Sequence, residues 1–170
     1  WVPAVYLSLS LATGACWLEA LLHLFGPGRG AVSAIAGIAI AVAWVCKRSY
    51  WKATDDQPPT ATAATATGLT GAGDVRLLDL PNTSANFVQR EMGYRVARKH
   101  ATRLRRLAVV FTFIVPAIGV ICVFALSPLP GALAAILGAL SITVGVAIER
   151  WLFFAEAVHV VTLFHGRTSV

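Results

Sequence analysis

The chain has 170 residues, of which 57% are hydrophobic and 13% are charged, and its formal net charge is +6. A soluble domain carries about 25% charged residues, so this composition excludes an ordinary soluble enzyme. The apolar residues fall into blocks long enough to cross a bilayer, which predicts an all-α integral membrane protein with four transmembrane helices arranged as two hairpins. The chain opens inside an apolar run without an initiator Met, and we expect it to be part of a longer membrane protein.

The first transmembrane hairpin is predicted over residues 1–52, with spans at 2–25 and 31–51. The run Gly26-Pro27-Gly28-Arg29-Gly30 separates the two spans, because it cannot continue a helix. Basic and aromatic residues follow at the end of the second span, where we expect them to meet lipid headgroups. They are Lys47, Arg48, Tyr50, Trp51 and Lys52.

Two polar segments follow the first hairpin. Residues 53–85 lose apolar periodicity and contain Pro58-Pro59 and a Thr/Ala repeat, which predicts a flexible, solvated linker. Residues 86–106 combine an apolar stripe with many basic side chains, which predicts an amphipathic helix along the membrane surface. We expect its basic residues to contact lipid headgroups or a partner protein, and we do not expect nucleic-acid binding. These residues are Arg90, Arg95, Arg98, Lys99, Arg103, Arg105 and Arg106.

The second transmembrane hairpin is predicted over residues 107–170, with spans at 107–126 and 132–155. The third span contains Pro116, which kinks a helix unless neighbouring groups satisfy the carbonyl that it leaves free. The apolar pattern of the fourth span continues to about residue 164. A helix of that length exceeds the bilayer, so its last part should emerge or tilt.

The distribution of basic residues predicts the orientation. Of the 14 Lys and Arg residues, 11 lie between Lys47 and Arg106. The positive-inside rule therefore places this long connection, and both ends of the chain, on the cytoplasmic side of the membrane.

Ionisable residues inside the spans are candidate functional residues. Glu19 and His23 are one helical turn apart and can pair with each other, and Glu149, Glu156 and His159 share one face of the last helix. Such residues are candidates for a quinone site or a proton path. The alternative is structural: Glu19 pairs with His23, and the acidic face of the last helix pairs with the basic segment.

No redox centre of its own is predicted for the chain. Cys16, Cys46 and Cys122 stand singly in apolar sequence, without the spacing of a zinc or iron–sulfur site. The predicted topology places His23 and His159 near opposite surfaces of the membrane, so they cannot be the two axial ligands of one haem. We predict no catalytic residues, no metal ligands and no cofactor bound within the chain.

Two segments resemble a known family. Glu149-Arg-Trp-Leu-Phe-Phe-Ala-Glu-Ala-Val-His-Val-Val-Thr-Leu-Phe-His-Gly166 and Ala85-Asn-Phe-Val-Gln-Arg-Glu-Met-Gly-Tyr-Arg-Val-Ala-Arg-Lys-His-Ala101 are similar to the membrane-anchor subunit of dimethyl sulfoxide reductase-type molybdoenzyme complexes. The resemblance covers nearly the whole chain and implies the C-terminal half of an eight-span subunit. It implies no haem and, on this half, no established quinol ligand.

The resemblance also implies partners. The family's anchor holds a molybdopterin catalytic subunit and a four-cluster iron–sulfur subunit on the membrane, and it exchanges electrons with menaquinone or ubiquinone. The chain would then be a non-catalytic subunit of an oxidoreductase complex of anaerobic electron transport in the inner membrane of a bacterium. The cytoplasmic basic segment favours a relative that oxidises a cytoplasmic substrate such as sulfite and reduces quinone.

Two other classes of function remain open from the residues alone. In a small transporter or channel, Glu19, His23 and Glu149 would line a proton or ion path, with polar groups near the middle of the membrane. A membrane scaffold without a redox role would need no quinone pocket.

Overall fold

The computed structural model describes residues 1–26, 30–57, 61–71, 73–76, 78–79, 84, 95–157, 160 and 163. Every long element of this described part is a helix, which confirms the all-α class predicted from the sequence. The chain divides into two compact units. Residues 1–55 and 101–152 form the first unit, and residues 56–100 and 153–170 form the second.

Within the described residues, four helices are long and apolar enough to cross a membrane, which indicates a multi-pass membrane protein. Helix α1 is Val2–Phe25 and helix α2 is Gly30–Asp55. The third long helix, Ala101–Ala125, consists of α5 (Ala101–Val109), a π-helical turn (Val110–Ile114) and α6 (Val115–Ala125). Helix α7 is Pro128–Glu156.

Helices α1 and α2 pack through apolar residues, several of them small, that recur every third or fourth position. The buried residues of α1 include Val5, Leu9, Ala12 and Cys16, and those of α2 include Ala36, Ile40 and Ala43. This spacing keeps one stripe of each helix facing its neighbour. Alanine and cysteine at the contact let the two backbones approach closely, which suits helices that gain little from the hydrophobic effect in lipid.

Pro116 is accommodated by a change of backbone register before it. The N–H of Val115 donates to the carbonyl of Val110, which is the i→i−5 pattern of a π-helix. In this register residue 116 would bond to the carbonyl of Phe111, but proline has no N–H. Ser141 Oγ on α7 donates to the Phe111 carbonyl oxygen at 2.8 Å instead. The neighbouring helix therefore supplies the donor that Pro116 lacks.

Helix α7 lies very close to the third long helix at two glycines. A Cβ atom added to Gly138 would lie 3.5 Å from Pro116 Cα, an ordinary contact. A Cβ atom added to Gly145 would lie 2.5 Å from the backbone nitrogen of Thr112, too close for any real side chain. The π-helical turn and Gly145 are therefore fitted to each other, and the turn has no room to move toward α7.

The described residues of the second unit include two short helices, α3 (Ala63–Thr67) and α4 (Arg95–Lys99). Helix α3 lies within residues 53–85, the segment that the sequence predicts to be a flexible, solvated linker. Thr62 and Thr65 cap its start reciprocally, and Gly68 ends it at a φ of +74°, a conformation that glycine adopts without strain. Alanine supplies the helix propensity, so the Thr/Ala repeat folds locally. Helix α2 also continues to Asp55, past the predicted end of the second span at residue 51.

Helix α7 ends at Glu156. Its predicted continuation to about residue 164 falls mostly outside the described residues. Arg98 of α4 donates from Nε to the carbonyl of Ala155 at 2.9 Å and from Nη2 to the carbonyl of Ala157 at 3.2 Å. A guanidinium group therefore satisfies carbonyl oxygens at the place where the helix stops and the chain bends.

Candidate functional site

A group of three ionised side chains lies inside the bundle of long helices. Lys47 of α2 donates from Nζ to Glu149 Oε1 of α7, and Arg150 donates to Glu149 Oε2. Lys47 and Glu149 are each only 2% exposed, and the Arg150 side chain is 20% exposed. We call Lys47, Glu149 and Arg150 the buried ion cluster.

Aromatic rings cover the two cations of the buried ion cluster. Lys47 Nζ lies 4.4 Å from the centre of the Tyr50 ring and 4.7 Å from that of the Trp51 ring. The Arg150 guanidinium lies 3.7 Å from the centre of the Tyr6 ring on α1. Cation–π contacts stabilise a desolvated cation by about 2 kcal/mol, so the rings offset part of the lost hydration.

The buried ion cluster joins α2 to α7 at one end of the bundle, and its contact with Tyr6 adds α1. Burying a charge costs several kcal/mol, and this cost is recovered only where the charge is paired with good geometry. Glu149 meets that condition because both of its carboxylate oxygens accept from a cation. In a membrane span such groups mark a functional site or a strict structural requirement.

The buried ion cluster differs from the predicted pairing. Glu149 was expected to pair with the basic segment, and Lys47 was expected at the headgroups; the two residues bind each other instead. The signal in the sequence is spacing, because Lys47 continues the buried series of α2 formed by Ala36, Ile40 and Ala43. Glu149 likewise continues the buried series of Ala135, Ala139 and Ile142 on α7. A charged residue in register with a buried stripe points inward.

Glu19 is a second buried carboxylate, on α1. It is 2% exposed, and its Oε1 atom has no hydrogen-bond partner within the described residues. The predicted pairing of its side chain with His23 does not form. His23 Nδ1 instead lies 2.9 Å from the backbone carbonyl oxygen of Glu19, to which it donates when that nitrogen is protonated. His23 is half-buried, close to the end of α1.

A cleft of about 280 Å³ separates α1 from α7 beside the buried ion cluster. Its two ends are marked by contacts between the helices. At one end the Arg150 guanidinium lies over the Tyr6 ring, and at the other Trp17 Nε1 donates to Thr143 Oγ1 at 3.0 Å. Between these ends the cleft is lined by Leu9, Ser10, Thr13, Gly14 and Val146.

The remaining acidic candidates lie at the end of α7. Glu156 is the last residue of the helix and is half-buried. His159 lies outside the described residues. Of the face predicted from Glu149, Glu156 and His159, the structure therefore describes only the two glutamates.

The basic residues of the segment predicted at 86–106 fall into two groups. Arg98 binds the end of α7, and Arg105 forms a two-bond ion pair with Asp55 at 2.8 and 2.9 Å, so both have partners within the chain. Lys99, Arg103 and Arg106 are exposed. Arg95 begins α4, but its side chain, like the whole of Arg90, lies outside the described part of the chain.

Within the described residues, no three His, Cys, Asp or Glu side chains are placed to hold a metal ion together. Comparison with protein-family models, with curated proteins and with solved structures found no match. The chemistry of the site therefore has to be argued from the buried ion cluster, Glu19 and the cleft.

Proposed function

We propose that this chain is the membrane-anchor subunit of a quinone-linked molybdopterin oxidoreductase complex. It would hold an iron–sulfur subunit and a catalytic subunit on the inner membrane and connect the iron–sulfur clusters of its partner to the quinone pool. The clusters and the molybdopterin would belong to the partners. A cytoplasm-facing complex of the sulfite:quinone type suits the basic segment best.

The position of Glu149 and Arg150 carries the proposal. These two residues open the longer of the two segments that resemble the anchor family, and they form the buried ion cluster with Lys47. Reduction of a quinone takes up protons as well as electrons. Ionisable side chains buried within a span are candidates for a quinone or proton site, and the position of this group at the start of the segment supports the anchor function.

The proposal includes two transmembrane hairpins, α1 with α2 and the third long helix with α7. It also includes a basic amphipathic helix before the third span. The buried stripes of α1 and α2 support the first hairpin. The contact of Ser141 with Phe111 and that of Gly145 with Thr112 support the second.

Arg103 and Arg106 of α5 support docking of a partner or of anionic lipid. They are three residues apart and therefore share a face of the helix, and both are exposed. The proposal places this face in the cytoplasm, where the positive-inside rule puts basic residues next to spans.

Copurification from native membranes in a mild detergent tests the proposal. We expect a large molybdopterin subunit and a ferredoxin-like subunit in stoichiometric amounts, identified by mass. Reversing the charges of Arg103 and Arg106 to Glu should reduce their recovery. The matched control is Arg76→Glu, which changes an exposed arginine of the linker. A wild-type chain that purifies alone, or with unrelated proteins, would exclude the anchor function.

Thiol labelling tests the orientation separately. Leu78 is fully exposed in the linker, so Leu78→Cys in a variant without the three native cysteines gives one accessible thiol. In intact cells a membrane-impermeant maleimide should not label it, and permeabilised cells should show full labelling. Labelling in intact cells would place the linker outside the cytoplasm and reverse the proposed orientation.

Proton or ion transport is the second candidate, and Glu19 is the observation that favours it. A buried carboxylate with an oxygen lacking a partner in the described residues is a potential proton carrier. Vesicles containing the purified chain alone distinguish the two functions. A transporter dissipates a pH gradient across the vesicle membrane, and Glu19→Gln slows that dissipation, whereas an isolated anchor subunit leaves the gradient unchanged.

A further inference from the structure

The cleft between α1 and α7 has the features of a binding site for a single lipid molecule. The Tyr6 and Trp17 side chains at its two ends are 38% and 37% exposed, so the cleft opens toward the surroundings of the bundle. Its walls between these residues are mainly apolar, and its volume is close to the lower limit of about 300 Å³ for small-molecule sites.

The charge at one end of the cleft determines which headgroup fits. Arg150 lines the cleft, and the buried ion cluster to which it belongs has two cations and one carboxylate. The cluster thus carries one net positive charge, which attracts an anionic group at this end of the cleft. An anionic headgroup is therefore favoured over a zwitterionic one at this end.

The position and length of the cleft match a phospholipid in the membrane, with the headgroup at Arg150 and an acyl chain below it. Arg150 lies about 33 Å along α7 from Pro128, which is close to the thickness of the hydrocarbon layer of about 30 Å. Arg150 thus reaches the level of the headgroups when α7 spans the membrane. From Tyr6 to Trp17 the cleft follows α1 for about 16 Å toward the middle of the bilayer, as an acyl chain does.

We propose that this cleft binds one anionic phospholipid, with its phosphate group at Arg150 and an acyl chain along Leu9, Gly14 and Val146. The bound lipid would fill the space between α1 and α7 and cover the polar groups of Ser10 and Thr13. This site does not depend on the redox function proposed above.

Spin-labelled lipids added to the full chain in nanodiscs test the proposal. The fraction of motionally restricted label should be higher for phosphatidylglycerol than for phosphatidylcholine. From these fractions, the affinity for phosphatidylglycerol should be about five times the affinity for phosphatidylcholine. Arg150→Gln should remove the preference, whereas Arg150→Lys should keep part of it. A wild-type chain with equal affinity for the two lipids would refute the proposal.

A second variant tests the apolar part of the cleft without touching the ion cluster. A Cβ atom added to Gly14 meets no atom within 4 Å, so Gly14→Leu can add bulk to the cleft without a clash at the backbone. Gly14 also borders the apolar groove between α1 and α2, and the matched control is Val42→Phe, which adds bulk to that groove alone. Gly14→Leu should reduce lipid restriction and Val42→Phe should not; equal effects of the two would contradict the assignment to this cleft.

The same samples provide two controls, one for the folding of the variants and one for quinone as an alternative ligand. Circular dichroism and the thermal unfolding midpoint show whether a variant that loses binding has also lost its helices. A short-chain quinone titrated into the wild-type nanodiscs should leave the restricted phosphatidylglycerol in place. Displacement of the label by quinone, with loss of displacement in Gly14→Leu, would overturn the lipid assignment and make the cleft a quinone site.

Discussion

The carboxylate of Glu149 and the ammonium group of Lys47 are ion-paired inside the helix bundle although 102 positions separate them in the chain. Each side chain is almost completely buried. This pair connects the end of α2 to α7. Arg150, the next residue of α7, binds Glu149 and also contacts the Tyr6 ring of α1. Three of the four long helices therefore meet at one polar contact.

Removal of one member of this pair should destabilise the bundle strongly. Glu149→Leu leaves Lys47 buried beside a second cation, and we expect a loss of about 3–5 kcal/mol in the free energy of unfolding. The double variant with Lys47→Met should be more stable than the sum of the two single effects predicts, by about 0.5–3 kcal/mol. Detergent-titration unfolding, followed by circular dichroism, measures these differences.

The control for this cycle is the ion pair of Asp55 with Arg105, whose side chains are 50% and 30% exposed. Because solvent screens this pair, Asp55→Asn should cost at most about 1 kcal/mol. Additive effects of Glu149→Leu and Lys47→Met would show that the two buried charges do not stabilise each other.

Gly145→Ala should disrupt the contact of α7 with the π-helical turn. Its new Cβ would lie 2.5 Å from the backbone nitrogen of Thr112, so α7 or the turn must shift, at a cost of about 1–3 kcal/mol. The matched substitution Gly14→Ala meets no atom within 4 Å and should stabilise α1 by up to about 1 kcal/mol through helix propensity. Thermal unfolding of both variants gives the comparison, and a Gly145→Ala variant as stable as Gly14→Ala would contradict the close approach.

Ser141→Ala should reveal the role of Ser141 beside the proline. It removes the donor to the Phe111 carbonyl, and hydrogen bonds between transmembrane helices contribute about 0.6 kcal/mol on average. In a Pro116→Ala background, residue 116 regains an N–H that can donate within its own helix. In that background, Ser141→Ala should therefore lower the free energy of unfolding by less than it does in the wild-type chain. The same loss in both backgrounds would mean that Ser141 does not compensate for Pro116.

Arg98→Ala should loosen the end of α7. It removes the guanidinium group that binds the carbonyls of Ala155 and Ala157, and hydrogen bonds from a charged donor contribute about 1.5–3 kcal/mol. Amide hydrogen exchange in a peptide covering residues 151–157 should become about tenfold faster or more. Lys99→Ala, at the exposed neighbouring position, should leave exchange unchanged; equal exchange rates in the two variants would refute the capping role.

Much of the helical architecture could be predicted because it depends on local sequence. Four apolar blocks of membrane length predict four spans in any tertiary arrangement, and the all-helical class follows because each span must satisfy its own backbone hydrogen bonds. The end of α7 could not be predicted in this way. It depends on Arg98, whose partners are 57 and 59 positions away in the chain.

Within the candidate site, the sequence alone identifies Glu19 and Glu149 as costly residues in apolar spans. The structure shows that both side chains are buried, in register with the buried stripes of their helices. Only the tertiary structure decided that Lys47 binds Glu149, that His23 meets a backbone oxygen, and that Ser141 serves the helix broken by Pro116. The reason is physical: hydropathy and periodicity determine which face of a helix is buried. The partner of a buried polar group depends on the rotation and depth of a helix far away in the chain, which are determined by close packing at residues such as Gly145.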